Sequence, residues 1–188
     1  MYEHDHTHVD RSSKHLGTAL LFTLFFAGVE AVTGWFANSL ALMGDAGHML
    51  TDSLSLGLAA LAARMSEAPA NEKHSFGLGR AEVVAAMINA TFMMLIVGGI
   101  AFSAIQRLQD PPDVKGGMVL VVAGIGLLVN VMVFWLIHRG EKTINTRGAL
   151  LHVMGDLLGS VAALASGAVI MFSGWTLIDP ILSLFIAA

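Results

Sequence analysis

The sequence predicts an all-α membrane protein, a polytopic bundle of six transmembrane helices of which the sixth is truncated. Of its 188 residues, 55% are hydrophobic and 13% are charged, whereas an average soluble protein is about 45–50% apolar and about 25% charged. The mean hydropathy is +0.72. Apolar stretches also recur at the length of roughly 20 residues that a helix needs to cross a ~30 Å hydrocarbon core.

Five predicted spans follow one another along the chain, at residues 16–36, 40–63, 83–106, 118–138 and 149–173. A sixth apolar segment begins at Ile181 and runs only as ILSLFIAA to Ala188, which is too short to span a bilayer. We therefore expect the chain to end inside a helix. Turn-forming and helix-breaking residues separate the spans, namely Asn38-Ser39, Asp110-Pro111-Pro112, and Gly174 with Asp179-Pro180.

The distribution of basic residues predicts which end of each helix faces the cytoplasm, because short cytoplasmic loops are rich in Lys and Arg. With the N-terminus inside, only Arg107 and Lys115 fall on the outer side. A multi-pass protein of a bacterial-type inner membrane, with its N-terminus in the cytoplasm, is therefore expected. The remaining basic residues fall inside, at Arg11, Lys14, Arg64, Lys73, Arg80, Arg139, Lys142 and Arg147.

Two domain-level expectations follow from the same pattern. Residues 1–15 form a cytoplasmic His-containing tail without the apolar core of a cleavable signal, and residues 16–188 form the transmembrane domain. Because the basic residues are scattered and the net charge is −4, the chain lacks the basic stripe of a nucleic-acid-binding protein. Its expected surroundings are the lipid bilayer and small ions.

One polar pattern, H-x-x-x-D-x-L, occurs twice in the predicted spans, as His48 with Asp52 in the second and as His152 with Asp156 in the fifth. Four residues advance a helix by about 400°, so each His and Asp project from one face. Two such faces opposed would supply two imidazoles and two carboxylates, a set that suits tetrahedral Zn²⁺. The sequence therefore predicts a metal site between the second and fifth spans.

The energetic cost of buried carboxylates supports this interpretation. Asp45, Asp52 and Asp156 at helix centres would together cost on the order of 8–10 kcal/mol without partners, and a passing cation compensates that cost. The alternative is that the His and Asp side chains are hydrogen-bonded contacts between helices. The chain has no Cys, which excludes thiolate sites and argues against Cu(I); Zn²⁺ is favoured, with Cd²⁺, Co²⁺, Fe²⁺ and Mn²⁺ left open.

Other polar residues are weaker candidates for function. Asp45, one turn from His48, is interpreted as a carboxylate beside the ligands or on the exit path, and Glu30 as a proton relay or an interhelical hydrogen bond. Asn89 and Asn130 are interpreted as hydrogen bonds between helices. Weak cytoplasmic metal binding is possible at four further histidines, His4, His6, His8 and His74.

Four longer motifs resemble the cation diffusion facilitators, a family of membrane exporters of Zn²⁺ and related ions. They are ALMGDAGHMLTD in the second span, HSFGLGRAE before the third, ALLHVMGDLLGS in the fifth and IDPILS before the sixth. The resemblance runs from about Leu16 to the end and implies a His/Asp site, exchange of metal for protons by alternating access, and homodimers. The resemblance also implies a C-terminal cytoplasmic domain, which we expect to be absent from this chain.

Two rival functions remain at this point. A non-transporting metal sensor or scaffold could use the same helices. An intramembrane metalloprotease would also bury zinc, but it needs a Glu general base as in H-E-x-x-H, and Met49 follows His48 while Val153 follows His152. A transporter that is not an enzyme, with the metal ion as cargo rather than cofactor, is the preferred expectation.

Overall fold

The structure, a computed structural model, describes residues 7–66, 81–138 and 144–187, and every regular element in these ranges is a helix. The fold class predicted from the sequence, an all-α membrane bundle, is thereby confirmed. Six helices follow in order: α1 Thr7–Ala37, α2 Leu40–Ser66, α3 Ala81–Gln109, α4 Gly116–His138, α5 Ile144–Ser173 and α6 Ile178–Ala187.

Three of these helices contain a segment long and apolar enough to cross a bilayer: Val83–Gln109, Gly116–Trp135 and Val153–Ser173. Shorter apolar helical segments lie at Leu21–Ala37 and Ile178–Ala187. Helix α2 has 27 residues, about 40 Å at 1.5 Å per residue, but it is interrupted by polar side chains. Large apolar side chains such as Phe22, Leu95 and Leu128 are exposed on the outer faces, as a lipid-facing surface requires.

Helix α2 is the centre of the bundle, since it packs against α1, α3, α5 and α6, while α4 packs along α5 and α1. The apolar core beside it is built mostly from small side chains and includes Ala41, Leu42, Ala123 and Ala163. Small residues let membrane helices approach closely without a hydrophobic driving force from water. This arrangement brings the polar faces of α2 and α5 together.

The crossing of α4 and α5 depends on two glycines. A Cβ at Gly167 would lie 2.6 Å from the backbone nitrogen of Leu120, and one at Gly116 would lie 2.8 Å from that of Met171. Because the neighbouring atoms belong to backbone, they could yield only if a helix moved. The two helices therefore approach as closely as their main chains allow.

The turn between α1 and α2 has the geometry that its sequence predicts. Asn38 adopts a left-handed φ of 57°, a conformation in which Asn is enriched. Ser39 then caps α2, because its Oγ accepts a hydrogen bond from the backbone nitrogen of Leu42 at 3.2 Å. The side chain of Arg107 donates a hydrogen bond to the carbonyl oxygen of Asn38. The backbone amide of Lys115 donates one to the carbonyl oxygen of Ala37 at 3.0 Å. The end of α3 and the loop after it therefore stabilise this turn.

One helix extends beyond its predicted span and one predicted boundary is corrected. Helix α1 includes residues from Thr7 onward, so part of the predicted tail is helical, and the assignment of residues 1–15 as a cytoplasmic tail stays a prediction. Helix α6 begins at Ile178 rather than Ile181 and contains Asp179 and Pro180 in its first turn, where the sequence predicted a break. Proline is tolerated there because its missing N–H would have no intrahelical partner.

Candidate metal site

Three of the four predicted ligands lie together at the contact between α2 and α5. His48 Nε2 is 3.5 Å from Asp52 Oδ2 on the same helix and 3.6 Å from Asp156 Oδ1 on α5. One ligand atom from each residue lies within 4.8 Å of those of the other two. The i, i+4 spacing on α2 places its pair on one face, and the packing of α5 adds the third group.

These distances fit a small divalent cation. With ligand bonds of about 2.0–2.2 Å, the ligand atoms of a tetrahedral zinc site are separated by about 3.3–3.6 Å. The separations of 3.5 and 3.6 Å from His48 Nε2 are of that size and exceed the usual range for a hydrogen bond. The separations between His48 and each carboxylate therefore suit a bound cation, and the ligand atoms of all three residues lie within 4.8 Å of one another.

The fourth predicted ligand, His152, lies in α5 one helical turn before Asp156. Its side chain falls outside the described part of the structure, so its participation stays a prediction. The same holds for the weak cytoplasmic candidates: His4, His6 and His74 lie outside the described residues, and His8 lies in α1 with its side chain outside them.

Asp45 is not part of this three-residue group. It is 1% exposed, and its Oδ2 accepts a hydrogen bond from Ser160 Oγ at 2.8 Å. Ser160 in turn accepts one from Asn130 Nδ2 at 3.0 Å, so a polar chain joins α2, α5 and α4. Gly159 permits the close approach, since a Cβ there would lie 2.6 Å from Asp45 Oδ1. The interhelical hydrogen bond expected at Asn130 is therefore present.

Glu30 is fully buried between α1 and α4. A Cβ at Gly126 would lie 2.7 Å from its Oε1 and 2.9 Å from Phe26, so the carboxyl group occupies the space that this glycine leaves. Neither carboxylate oxygen has a hydrogen-bond partner in the described ranges. The interhelical hydrogen bond considered from the sequence is thus not found there, and a relay role stays a prediction.

Two cavities reach His48 from different sides of α2. One, of about 160 Å³, lies between α2, α3 and α6 and is lined by Thr51, Ile96 and Ser183 among others. The other, of about 240 Å³, lies between α2, α5 and α6 beside Asp45 and Gly155. Since a water molecule takes about 30 Å³, each cavity has room for an ion with several waters.

Sequence reasoning missed two polar groups at the same interface. Ser160 follows Asp156 by four residues and so lies on the same face of α5, a spacing that could have revealed it. Asp179 is fully buried, although its position before a proline suggested a loop. The signal available for Asp179 was its acidic side chain next to an apolar segment, which usually requires a partner.

Comparison with known proteins assigns a family to nearly the whole chain. Residues 16–188 match the model of the cation efflux transmembrane domain. That range contains all six helices apart from the first residues of α1, and it includes every residue of the candidate site.

Several bacterial relatives are similar over almost the full chain. The zinc transporter ZitB of Pectobacterium atrosepticum is 46% identical over 98% of this chain and 58% of its own length. A cadmium, cobalt and zinc/H(+)-K(+) antiporter of Bacillus velezensis is 40% identical over 98% and 60%, and the metal cation efflux system protein CzcD of Cupriavidus metallidurans is 36% identical over 97% and 58%. The chain thus spans about three fifths of the length of these curated relatives.

Proposed function

The chain belongs to the cation efflux family, and from that premise we propose that it exports Zn²⁺ or a similar divalent cation from the cytoplasm through the site at His48, Asp52 and Asp156, with His152 as fourth ligand. The observation that carries the proposal is the convergence of an imidazole and two carboxylates from α2 and α5 inside a membrane bundle. A multi-pass helical bundle has little reason to keep such groups at its centre unless a cation compensates them.

The donor set supports zinc and its chemical neighbours as cargo. Imidazole nitrogen and carboxylate oxygen suit Zn²⁺, Co²⁺ and Cd²⁺ better than Cu(I), which prefers sulfur, and the chain has no Cys. The names of two relatives mention zinc, and one of these also mentions cadmium and cobalt. Zn²⁺ is therefore the first cargo to test, followed by Cd²⁺ and Co²⁺, and then by Fe²⁺ and Mn²⁺.

Proton exchange is the proposed source of energy. A metal ion binds neutral imidazole and ionised carboxylate, so protons compete with it for the same atoms. One relative carries H(+) antiport in its name. Two cavities, one between α2, α3 and α6 and one between α2, α5 and α6, border His48, so the site has space beside it into which an ion and water could move. The cytoplasmic N-terminus and the homodimer stay predictions.

A flux measurement separates transport from the sensor or scaffold alternative. The full chain is reconstituted into sealed vesicles that contain a zinc-sensitive dye and a lumen more acidic than the outside. We expect Zn²⁺ to enter faster than in vesicles without a pH gradient, and an ionophore that collapses the gradient should remove the difference. Binding of Zn²⁺ without uptake under either condition would instead identify a sensor. The protease alternative has no support from the family match.

Proton release on metal binding tests the exchange mechanism directly. We expect Zn²⁺ affinity to rise with pH across about 5.5–8, because protons leave the imidazole and carboxylate groups as pH rises. Zn²⁺ added to the protein in weakly buffered detergent solution should release about one or more protons per ion bound. Isothermal titration in buffers of different ionisation enthalpy measures this number. An affinity independent of pH would remove the antiport proposal and leave the metal site.

A further inference from the structure

We propose that Asp179 is a positioning residue for metal binding: it fixes the N-terminal end of α2 against α5 and α6 and thereby sets the separation of the two helices that carry the candidate ligands. This inference rests on the proposed function of the His48 site. In the described part of the structure, the hydrogen bonds that the Asp179 carboxylate accepts come from the start of α2 and from Ser166 in α5, and not from His48, Asp52 or Asp156.

Asp179 gathers donors from two other helices. Its Oδ1 accepts from Ser39 Oγ at 2.6 Å, from Ser166 Oγ at 3.1 Å and from the amide of Ala41 at 3.4 Å. Its Oδ2 accepts from the amide of Leu40 at 2.6 Å. The residue is fully buried, so these bonds form without competition from solvent. This carboxylate cluster, Asp179 with Ser39, Leu40, Ala41 and Ser166, joins the start of α6 to α2 and α5.

The location at the start of α2 strengthens the contact. The first amides of a helix have no partner within the helix, and the helix dipole places partial positive charge there. Asp179 supplies an anionic acceptor from another helix, and hydrogen bonds to an ionised group are shorter and stronger than neutral ones. The carboxylate thus accepts hydrogen bonds from the first amides of α2, in addition to the cap that Ser39 provides, and determines where this helix begins.

The cluster is one of three polar contacts along the same helix pair. Starting from the N-terminal end of α2, Asp179 connects Leu40 with Ser166, Ser160 then bonds to Asp45 at 2.8 Å, and Asp156 lies 3.6 Å from His48. Residue numbers rise along α2 while they fall along α5, as antiparallel helices require. From Leu40 to His48 is about 12 Å along α2. A shift at the cluster would therefore be transmitted to the metal site through a short, stiff helical segment.

The chain connection between α5 and α6 adds to this restraint. Helix α5 ends at Ser173 and α6 begins at Ile178, with Gly174 in a left-handed conformation at φ 69°. The hydrogen bond from Ser166 to Asp179 connects α5 to α6 across this turn. Within α6, Ser183 donates a hydrogen bond to the carbonyl oxygen of Asp179 at 2.7 Å. Because α5 and α6 are already tied together, the bonds to Ser39 and Leu40 fix α2 to the pair.

Graded substitutions at Asp179 test the proposal by metal binding. The affinity of the full chain for Co²⁺ and its visible d–d absorption are measured in detergent solution, since that spectrum depends on ligand geometry. We expect Asp179→Ala to raise the Kd about tenfold, because it removes hydrogen bonds to a charged group, and to shift the absorption. Asp179→Asn keeps one carbonyl acceptor and should recover part of the affinity. Ser166→Ala should have a smaller effect than Asp179→Ala.

A double substitution and a matched control separate positioning from general stability. Ser166→Ala combined with Asp179→Ala should bind no more weakly than Asp179→Ala alone, since both remove the same bond. Ser173→Ala is the control, since it is the same change on α5. Among the described residues, this hydroxyl bonds to the Val169 carbonyl and the Trp175 amide, both nearby in the chain. The substitution should leave the affinity and the spectrum unchanged.

A distance measurement tests the same idea without metal. The chain has no Cys, so Leu54→Cys on α2 and Met154→Cys on α5 allow spin labels at two exposed positions. Dipolar electron-spin spectroscopy should give a narrow distance distribution in the parent and a broader or displaced one with Asp179→Ala. An unchanged distribution would overturn the inference whether or not metal binds, and so would an unchanged Kd and spectrum in a folded Asp179→Ala protein. Absence of Co²⁺ binding by the parent chain would instead count against the proposed function.

Discussion

Replacing Asp156 with Asn is expected to lower the affinity of the full chain for Zn²⁺ by at least about 100-fold. Loss of a residue that only hydrogen-bonds to a metal ligand lowers metal affinity by about 10–100-fold, and loss of a ligand itself should cost more. The substitution keeps the size and shape of the side chain, but it removes the negative charge 3.6 Å from His48 Nε2. A neutral amide is also a poorer ligand for Zn²⁺ than a carboxylate. Competition against a fluorescent zinc chelator in detergent solution measures the change.

Asp52→Asn should have a comparable effect, because its carboxylate lies 3.5 Å from the same nitrogen of His48. Ser53→Ala is the matched control: it is buried on the same helix next to Asp52, and its hydroxyl has no hydrogen-bond partner within the described ranges. It should bind Zn²⁺ as the parent does. If Asp156→Asn retains parental affinity while it remains folded, Asp156 is not a ligand and the proposed four-residue site is wrong.

Gly167→Ala is expected to destabilise the bundle by about 3 kcal/mol or more, the upper end of the cost of inserting a methyl group into a well-packed core. Each of the nearest atoms to the added Cβ is backbone: the Leu120 nitrogen at 2.6 Å and Cα at 2.9 Å, and the Gly116 carbonyl oxygen at 3.1 Å. Relief therefore requires α4 and α5 to separate along their length. At roughly 2–4 °C per kcal/mol for a chain of this size, the apparent melting temperature should fall by about 6–12 °C.

Heating the protein in detergent and following the monodisperse fraction by size-exclusion chromatography measures this shift. Gly117→Ala is the control, since the same substitution in α4 meets open space within 4 Å and Ala is the better helix former by about 1 kcal/mol. It should melt at or slightly above the parental temperature. Equal melting of the two variants would show that α4 and α5 are not in close contact at Gly167.

The fold was predictable because hydropathy depends on local composition. The apolar segments predicted the six helices of the described structure in the right order. The predicted and observed helices differ at their ends. Helix α1 extends to Thr7, before the predicted span, because polar residues can also adopt a helical conformation, which a hydropathy pattern does not detect. Helix α6 starts at Ile178 because Pro180 occupies its first turn, a position that rules about proline as a helix breaker do not cover.

The candidate site was only partly predictable. The spacing of His48 and Asp52 follows from helix geometry, and duplication of the pattern suggested that Asp156 would face them. Asp179 could not be placed in this way, because its donors lie 138 to 140 residues earlier in the chain or on another helix. Which buried carboxylate meets which helix end is decided by tertiary packing rather than by local sequence.

The long chain separation of these partners affects how the protein is made. Ser160 follows Asp45 by 115 residues and Asp179 follows Ser39 by 140, so at about 5–20 residues per second they are synthesised roughly 6–30 s later. Until then, an Asp at the centre of α2 costs about 2.5–3.5 kcal/mol in lipid. Helix α2 is therefore expected to remain beside the translocon while α3 and α4 enter the bilayer, and to integrate fully only when α5 and α6 emerge from the ribosome.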